Sequence, residues 1–468
     1  METRVPAHDA GSIWAPGCRR VTAGLVMTVT LIAFESLSVA TVLPVVSRHL
    51  GDIRLYGWVF SAFFLSSLLG TVAGGSMADR RGARYPMTAG LAVFALGLAV
   101  GGAAPNMPVL VAGRVVQGLG AGLVPAAAYV AIGIRYAPPT RPRMLAVMST
   151  AWIVPGLVGP ALAAQVANLA GWRWVFVGLI PLVAAAAAIA IPAMPAEVPA
   201  GEPADGGRAA MRRADGARLV PAMGVTCGAG LILAGLSAAT PAVSVPLVVV
   251  GAAILFPALT RLTPEGMLRA RPGVPAAVLV RGLLTFAYFA GDAYVPLALT
   301  SVRHTSTTFA GLVLTVATVT WTAGAWVQAR LASVRGARTL VSGGLVIVAA
   351  GIAGMASLLS TSVPLWVAPV AWGVAGFGIG VAYSPTSLIV LGFADPSRVG
   401  EASAGLQLSD LLGTALGTGV SGAAVAIAHQ HGAGNRAGLL GAFAAAAAVA
   451  FIGLASSTRL PAIATAEV

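Results

Sequence analysis

The sequence contains no lysine: all 28 of its basic residues are arginine, set against 15 acidic ones. That absence removes the phosphate-binding lysine of a P-loop and the amine on which Schiff-base chemistry depends, so a single-chain ATP-driven pump is not expected. Charge of any sign is scarce, at 9% of 468 residues, while 57% are hydrophobic and the mean hydropathy is +0.88. A water-soluble surface cannot be built from such a composition. The two cysteines, Cys18 and Cys227, occupy such different settings that free thiols are expected in place of a disulfide framework. None of the five histidines, His8, His49, His304, His429 and His431, falls deep in an apolar run, which argues against a histidine proton relay or a buried metal site. No cofactor is expected. The short alternating segments of a membrane barrel are also missing, which leaves helices as the only spanning element.

What is present is a series of apolar runs divided by charged or turn-rich breaks. Six fall at 22–43, 57–78, 85–104, 107–132, 145–166 and 173–193, and eight more at 219–237, 243–260, 274–299, 308–330, 339–359, 364–392, 401–428 and 437–457. Each approaches the roughly 20 residues needed to cross a bilayer. The pair at 219–260 is rich in proline and glycine, so the reading is fourteen spans, or twelve if that pair is re-entrant. The first 21 residues are polar and mixed, without the pattern of a cleaved signal, so the first span is expected to be retained. With the N-terminus inside, 21 arginines fall on the inner side, among them Arg80, Arg81, Arg84, Arg135, Arg141, Arg143, Arg208, Arg212, Arg213, Arg269 and Arg271. Only Arg48, Arg54, Arg173, Arg303 and Arg436 fall outside. The positive-inside rule then puts both termini in the cytoplasm. The net charge of +13 is thus a topology signal, and no nucleic acid is expected as a partner.

A weak internal repeat runs through the chain. Arg48-His49 and Arg81-Gly82-Ala83-Arg84 recur in order as Arg303-His304 and Arg335-Gly336-Ala337-Arg338, while Gly118, Gly120, Gly122 and Pro125 are echoed by Gly376, Gly378, Gly380 and Pro385. Two homologous halves are the simplest reading, with a substrate site at their interface near mid-membrane.

Four motifs give the chain a family likeness. The loop after the second span, Gly75-Ser76-Met77-Ala78-Asp79-Arg80-Arg81-Gly82-Ala83-Arg84, resembles the G-x-x-x-D-R-x-G-R-R signature of the major facilitator superfamily, with Glu401 a candidate partner for its arginines. In the fourth span Arg114-Val115-Val116-Gln117-Gly118-Leu119-Gly120-Ala121-Gly122 resembles that family's R-x-x-q-G-x-g-a motif. The fifth span carries Pro155-Gly156-Leu157-Val158-Gly159-Pro160-Ala161-Leu162-Ala163-Ala164, similar to the antiporter motif G-x-x-x-G-P-x-x-G-G, with Pro155 at the first glycine and Ala163-Ala164 in place of the closing pair. The first span ends Glu35-Ser36-Leu37-Ser38-Val39-Ala40-Thr41-Val42-Leu43-Pro44, similar to a motif of the fourteen-span drug:proton antiporters, with Glu35 at the acidic position. The resemblance implies an all-α membrane protein of the major facilitator fold, two six-helix bundles with two extra helices between them. On that reading the chain divides into a tail (1–21), a first bundle (22–193), a linker (194–217), two extra helices and a loop (218–273), a second bundle (274–458) and a tail (459–468).

Ionisable groups within the membrane are costly and usually functional. By helix rise, Glu35 lies roughly 12 Å and Arg114 roughly 10 Å below the outer ends of their spans. The family resemblance sets these spans side by side, so an ion pair is expected, either a permanent structural bridge or one whose carboxylate exchanges protons. Asp292 sits at similar depth between Tyr288 and Tyr294, placed for a cationic substrate or a second proton. Asp410 and Arg281 lie deep on the inner side, where they neutralise each other or are solvated by a cavity. Glu35, Tyr288, Asp292, Tyr294 and Asp410 form the candidate cavity, and Glu35, Arg114 and Asp292 the candidate proton-coupling set. Trp172-Arg173-Trp174 reads as an interfacial belt.

Gly419-Val420-Ser421-Gly422 matches the G-x-S-G of rhomboid-type intramembrane proteases, but no histidine on a second helix stands within the membrane to act as base, so catalysis is not expected. The expected function is secondary transport, proton-coupled export of small lipophilic or cationic compounds by a monomer in the bacterial inner (plasma) membrane. Transport of a metabolite, lipid or glycolipid is the alternative. The expected partners are a small-molecule substrate, protons and the lipid bilayer.

Overall fold

In the computed structural model, residues 12–195, 207–332, 334–395 and 398–462 are described. Much of the expected linker, most of the last tail and the start of the first, with His8, lie outside them. Fourteen helices among the described residues are long and apolar enough to cross a membrane. They are α1 (Arg19–Leu50), α2 (Ile53–Arg81), α3 (Arg84–Gly102), α4 (Met107–Arg135), α5 (Arg143–Leu169), α6 (Arg173–Ala193), α7 (Gly216–Leu236), α8 (Pro241–Leu262), α9 (Val274–Val302), α10 (Thr307–Leu331), α11 (Ala337–Ser357), α12 (Val367–Phe393), α13 (Val399–Gln430) and α14 (Gly434–Ser457). The pair at 219–260 therefore forms two full helices, α7 and α8, and is not re-entrant.

The helix ends follow from local chemistry. α1 and α2 stop where Gly51 and Gly82 take positive φ, at 70° and 72°, and donate back to Ser47 and Ala78. α4 and α10 start on Asn106 and Ser306, whose side chains accept from Val109 and Phe309 at 3.1 Å. Within the spans hydroxyls bond back to their own helix, as Thr28 does to Gly24 and Thr418 to Thr414, so few polar groups reach lipid unpaired. Three spans are broken, α6 between Val177 and Ile180 among them. α5 divides between Thr150 and Ile153. In α9 the regular helix ends at Asp292, and the chain turns through Val295–Leu297 into a π turn at Ala298–Val302.

The packing repeats. In the first half α4 lies on α2 and α3, α1 on α5 and α6, and α3 on α6; in the second α12 lies on α10 and α11, α9 on α13 and α14, and α11 on α14. The glycine motifs show how close the correspondence is. Side chains added at Gly118, Gly120 and Gly122 would meet Phe63 O, Phe94 N and Ser67 O, and those at Gly376, Gly378 and Gly380 would meet Ala317 O, Val348 N and Trp321 O. Backbones approach this closely only because α4 and α12 present glycine at the contact. In this register Arg114 of α4 corresponds to Trp372 of α12.

The halves meet along α2 with α13 and α5 with α10, and α7, paired with α8, covers α2 and α13. Tyr56 donates to Ala293 O at 3.3 Å, Ser61 to Ala415 O at 2.8 Å, and Gly57 packs on Gly422. On the other side Gly156 packs on Thr318, and Gly311 on Pro160. Most of these contacts lie toward the span ends away from Arg80, Arg81, Arg84 and Arg335, while Gly156 and Thr318 stand at the middle of α5 and α10. Large apolar side chains such as Leu96, Val154, Leu182, Val245, Val346 and Phe451 are exposed on the outside of the helix cluster, as a lipid solvent requires.

Three expectations need correction. Trp172, at the end of its span, does not face the surroundings: it is buried at 3% exposure, edge-on to Phe176 and covered by Arg173, whose guanidinium sits 4.5 Å from its ring and donates to Ala104 O at 3.0 Å. Trp174 alone of the two rings is exposed. Glu401 pairs through both carboxylate oxygens with Arg398, the residue just before its helix, at 3.0 Å. Tyr294 is fully buried in the seam between the halves, where its hydroxyl donates to Thr418 O at 2.9 Å and its ring lies 5.3 Å from Tyr56, so it closes the seam and does not line an open cavity.

Candidate functional site

The first polar centre forms where α1, α2 and α4 converge. Glu35 is fully buried and Arg114 is 1% exposed. The Arg114 guanidinium donates through Nη1 to Glu35 Oε1, through the same nitrogen to Gln117 Oε1 at 2.9 Å, and through Nε to Val59 O at 2.9 Å. Its plane lies 4.2 Å above the Phe63 ring. Gln117 Nε2 reaches back to Glu35 Oε1 at 3.4 Å, while Glu35 Oε2 and Ser38 Oγ are buried without a hydrogen-bond partner. A buried pair of this kind offsets a desolvation penalty of several kcal/mol per ion only through such added bonds. The arginine therefore has three neutral contacts, Gln117, Val59 O and Phe63, besides the carboxylate.

The second centre belongs to the other half. Asp292, at the break in α9, accepts from Trp372 Nε1 at 2.9 Å. Among the described residues no cationic side chain lies within ion-pair distance of it. Tyr288 stacks on Trp372 at 5.3 Å and meets Trp321 edge-on at 5.3 Å. The ring cluster continues through Phe289 and Tyr383 and reaches α2 at Phe64.

The third lies deeper along the same helices. Arg281 Nη1 stands 3.8 Å from Asp410 Oδ1, and the guanidinium lies 3.5 Å above the Tyr383 ring. Arg281 also donates to Thr386 Oγ1, Tyr383 O and Ser387 Oγ at 2.6–2.8 Å, and Tyr383 donates to Asp410 Oδ2 at 3.1 Å. Asp410 keeps 21% of its side chain exposed.

The structure thus brings Glu35 to Arg114 and Asp410 to Arg281, and leaves Asp292 with neutral partners. Gly156 and Pro160 face α10 across the seam, where Gly156 meets Thr318 and Pro160 O meets Gly311, while Gly159 faces Phe34 of α1 inside the first bundle. In the loop motif Gly82 makes the turn, Arg81 lies 4.4 Å above the Tyr85 ring, and Gly75, Asp79, Arg80 and Arg84 sit at the arginine-rich face. Ser421, from the G-x-S-G match, is buried and donates to Ala290 O at 3.0 Å, a helix-to-helix tie. Sequence reasoning did not single out Gln117, Trp321, Trp372 or Tyr383. Gln117 was within reach, three residues after Arg114 and so on the same helix face.

The family model of the Major Facilitator Superfamily matches residues 25–418, nearly the whole membrane domain. This chain belongs to the Major Facilitator Superfamily. It is 29% identical over 455 residues, covering 92% of this chain and 94% of the relative, to a probable multidrug-efflux transporter of Mycobacterium tuberculosis. Among solved structures, a bacterial homologue of the human lysosomal transporter Spinster, inward-facing and unoccupied, superposes with a TM-score of 0.67 at 16% identity over 95% of this chain and 98% of that one. A POT family transporter in complex with 5-aminolevulinic acid also gives 0.67, at 11% identity. As a Major Facilitator Superfamily member the chain is a multi-pass membrane transporter of small molecules and not an enzyme, and its three polar centres lie within the membrane between and inside the two bundles.

Proposed function

We propose that this transporter exports small lipophilic or cationic compounds in exchange for protons, by alternating access of the two bundles. The observation that carries the reading is the sealed Glu35–Arg114–Gln117 centre. When the carboxylate takes up a proton, Gln117 Oε1, Val59 O and the Phe63 ring remain to hold the Arg114 charge, so the site can lose and regain its ion pair without stranding the arginine. The few polar groups elsewhere, Asp292 and Asp410 amid rings and small apolar side chains, suit apolar or cationic cargo. The likeness to a mycobacterial multidrug-efflux relative along almost the full length supports the same direction.

The arginine distribution puts both termini and the Asp79-Arg80 loop in the cytoplasm of a bacterial cell. The seam contacts then fall in the outer half and at mid-membrane. Efflux of a lipophilic cationic dye from energised vesicles tests the reading, comparing the parent with Glu35→Gln and collapsing the pH gradient in parallel. Gradient-dependent efflux by the parent, lost in Glu35→Gln at equal abundance, is expected. Efflux indifferent to the gradient would end the proton-coupling claim, and a parent that moves no dye would turn the assignment toward a metabolite or lipid cargo.

A further inference from the structure

We propose that Asp292, held by Trp372 and walled by the half-buried rings of Trp321 and Phe289, is the recognition site for the positive charge of an organic cation, and that Glu35 has no part in holding the cargo. The inference rests on the export reading above and assigns its two charge-bearing tasks to different halves.

The internal repeat sets up the comparison. The register that places Gly118, Gly120 and Gly122 on Gly376, Gly378 and Gly380 places Arg114 on Trp372, and the register of Arg48-His49 on Arg303-His304 brings Glu35 to within two residues of Asp292. The same frame therefore holds an acid against a donor in each half, but the donor is a cation in one and an indole N–H in the other. A carboxylate given only neutral donors has no cation of its own, so its charge, when ionised, is left for a ligand to meet. Its position adds to this, since the regular part of α9 ends at Asp292, and the C-terminal end of a helix carries partial negative charge that favours a cation nearby.

The walls suit the same ligand. Trp321 stands where the first half has Ser67, and it is half-buried, as are Phe289 and Asp292 itself, while Phe64 of α2 closes on Phe289 from the opposite bundle. Ring faces beside a carboxylate are the arrangement that binds organic cations. The protein contains its own demonstration further down the same cluster: the Arg281 guanidinium sits 3.5 Å above Tyr383 and 3.8 Å from Asp410, a cation between ring and carboxylate. The upper station repeats that chemistry without a resident cation among the described residues. A planar or propeller-shaped aromatic cation, with one positive centre facing Asp292 Oδ2 and its apolar body against Trp321 and Phe289, satisfies the site.

The test uses full-length protein in lipid nanodiscs and two probes of similar bulk, tetraphenylphosphonium and the uncharged triphenylphosphine oxide, with binding followed by equilibrium dialysis. Asp292→Asn keeps an acceptor for Trp372 and is expected to fold, which a thermal-melting curve checks. It should weaken tetraphenylphosphonium binding about tenfold or more and leave the neutral probe within about twofold. Asp292→Glu should restore cation binding in large part, Trp321→Ala should weaken both probes, and Glu35→Gln should bind the cation like the parent. Unchanged cation binding in Asp292→Asn, or equal loss of both probes in that variant, overturns the site while leaving the export reading intact. A parent that binds neither probe overturns the export reading and this inference with it.

Discussion

The two halves of this transporter share a backbone frame and differ in what they put into it. Where α4 carries Arg114, α12 carries Trp372; where α2 carries Phe63 and Ser67, α10 carries Ala317 and Trp321. Gln117 three residues after the arginine has Ala375 three residues after the tryptophan. The first half thus encloses a compensated ion pair behind a fully buried wall, and the second presents an uncompensated acid in a half-buried aromatic wall. Glycine contacts conserve the geometry between halves while the side chains between them divide the chemistry. A repeat is free to do this because helix packing is set by the small residues that face the neighbouring helix, leaving the adjacent positions open to change.

The comparison can be broken most forcefully at Arg114. Arg114→Ala leaves Glu35 buried without its cation, and a loss of about 3–5 kcal/mol is expected from thermal or denaturant melting, together with loss of transport. The double variant Glu35→Gln/Arg114→Gln should recover much of that stability, since neither charge is then stranded. Recovery of transport along with stability would show the pair to be a structural bridge. The shared frame is probed by Gly118→Ala and Gly376→Ala, each of which drives a methyl into a carbonyl of the neighbouring helix and should cost about 1–3 kcal/mol. A large cost at one site and none at the other would break the proposed register. A smaller effect is expected for Trp372→Phe, which keeps a ring on Tyr288 but removes the N–H to Asp292 and part of a fully buried indole, about 1–2 kcal/mol by melting. Cation binding should persist in that variant, because the ligand needs the carboxylate more than the indole donor.

Much of the fold was legible because a bilayer imposes length and apolarity on each span. The runs near 243–260 and 339–359 correspond closely to α8 and α11. α1 extends from Arg19 to Leu50, beyond the expected 22–43, because its polar ends remain helical after leaving the apolar stretch. The Glu35–Arg114 pairing was readable from equal depth on two helices that the motifs set side by side. Asp410 and Arg281 were likewise readable as a pair, and the structure selects the paired alternative over isolated solvation. The Asp292–Trp372 bond was not readable, since the two residues come from α9 and α12 and nothing in the local pattern around Trp372 sets it apart from a packing tryptophan. Trp172 misled for the opposite reason: its neighbours Arg173 and Trp174 form a belt-like triplet, while the covering by Arg173 and the contact with Phe176 are tertiary. The break in α9 that places Asp292 was also hidden, because Val295–Leu297 and the turn after it are as apolar as a continuous helix.

The central claim is that Glu35 carries the proton and the second half carries the cargo, and it is tested most directly in proteoliposomes with an imposed pH gradient. Tetraphenylphosphonium is added, and the gradient is followed with an entrapped pH-sensitive dye. Cation addition should dissipate the gradient in the parent and leave it intact in Glu35→Gln, although that variant still binds the cation. Dissipation by Glu35→Gln at the parent's rate would contradict the account.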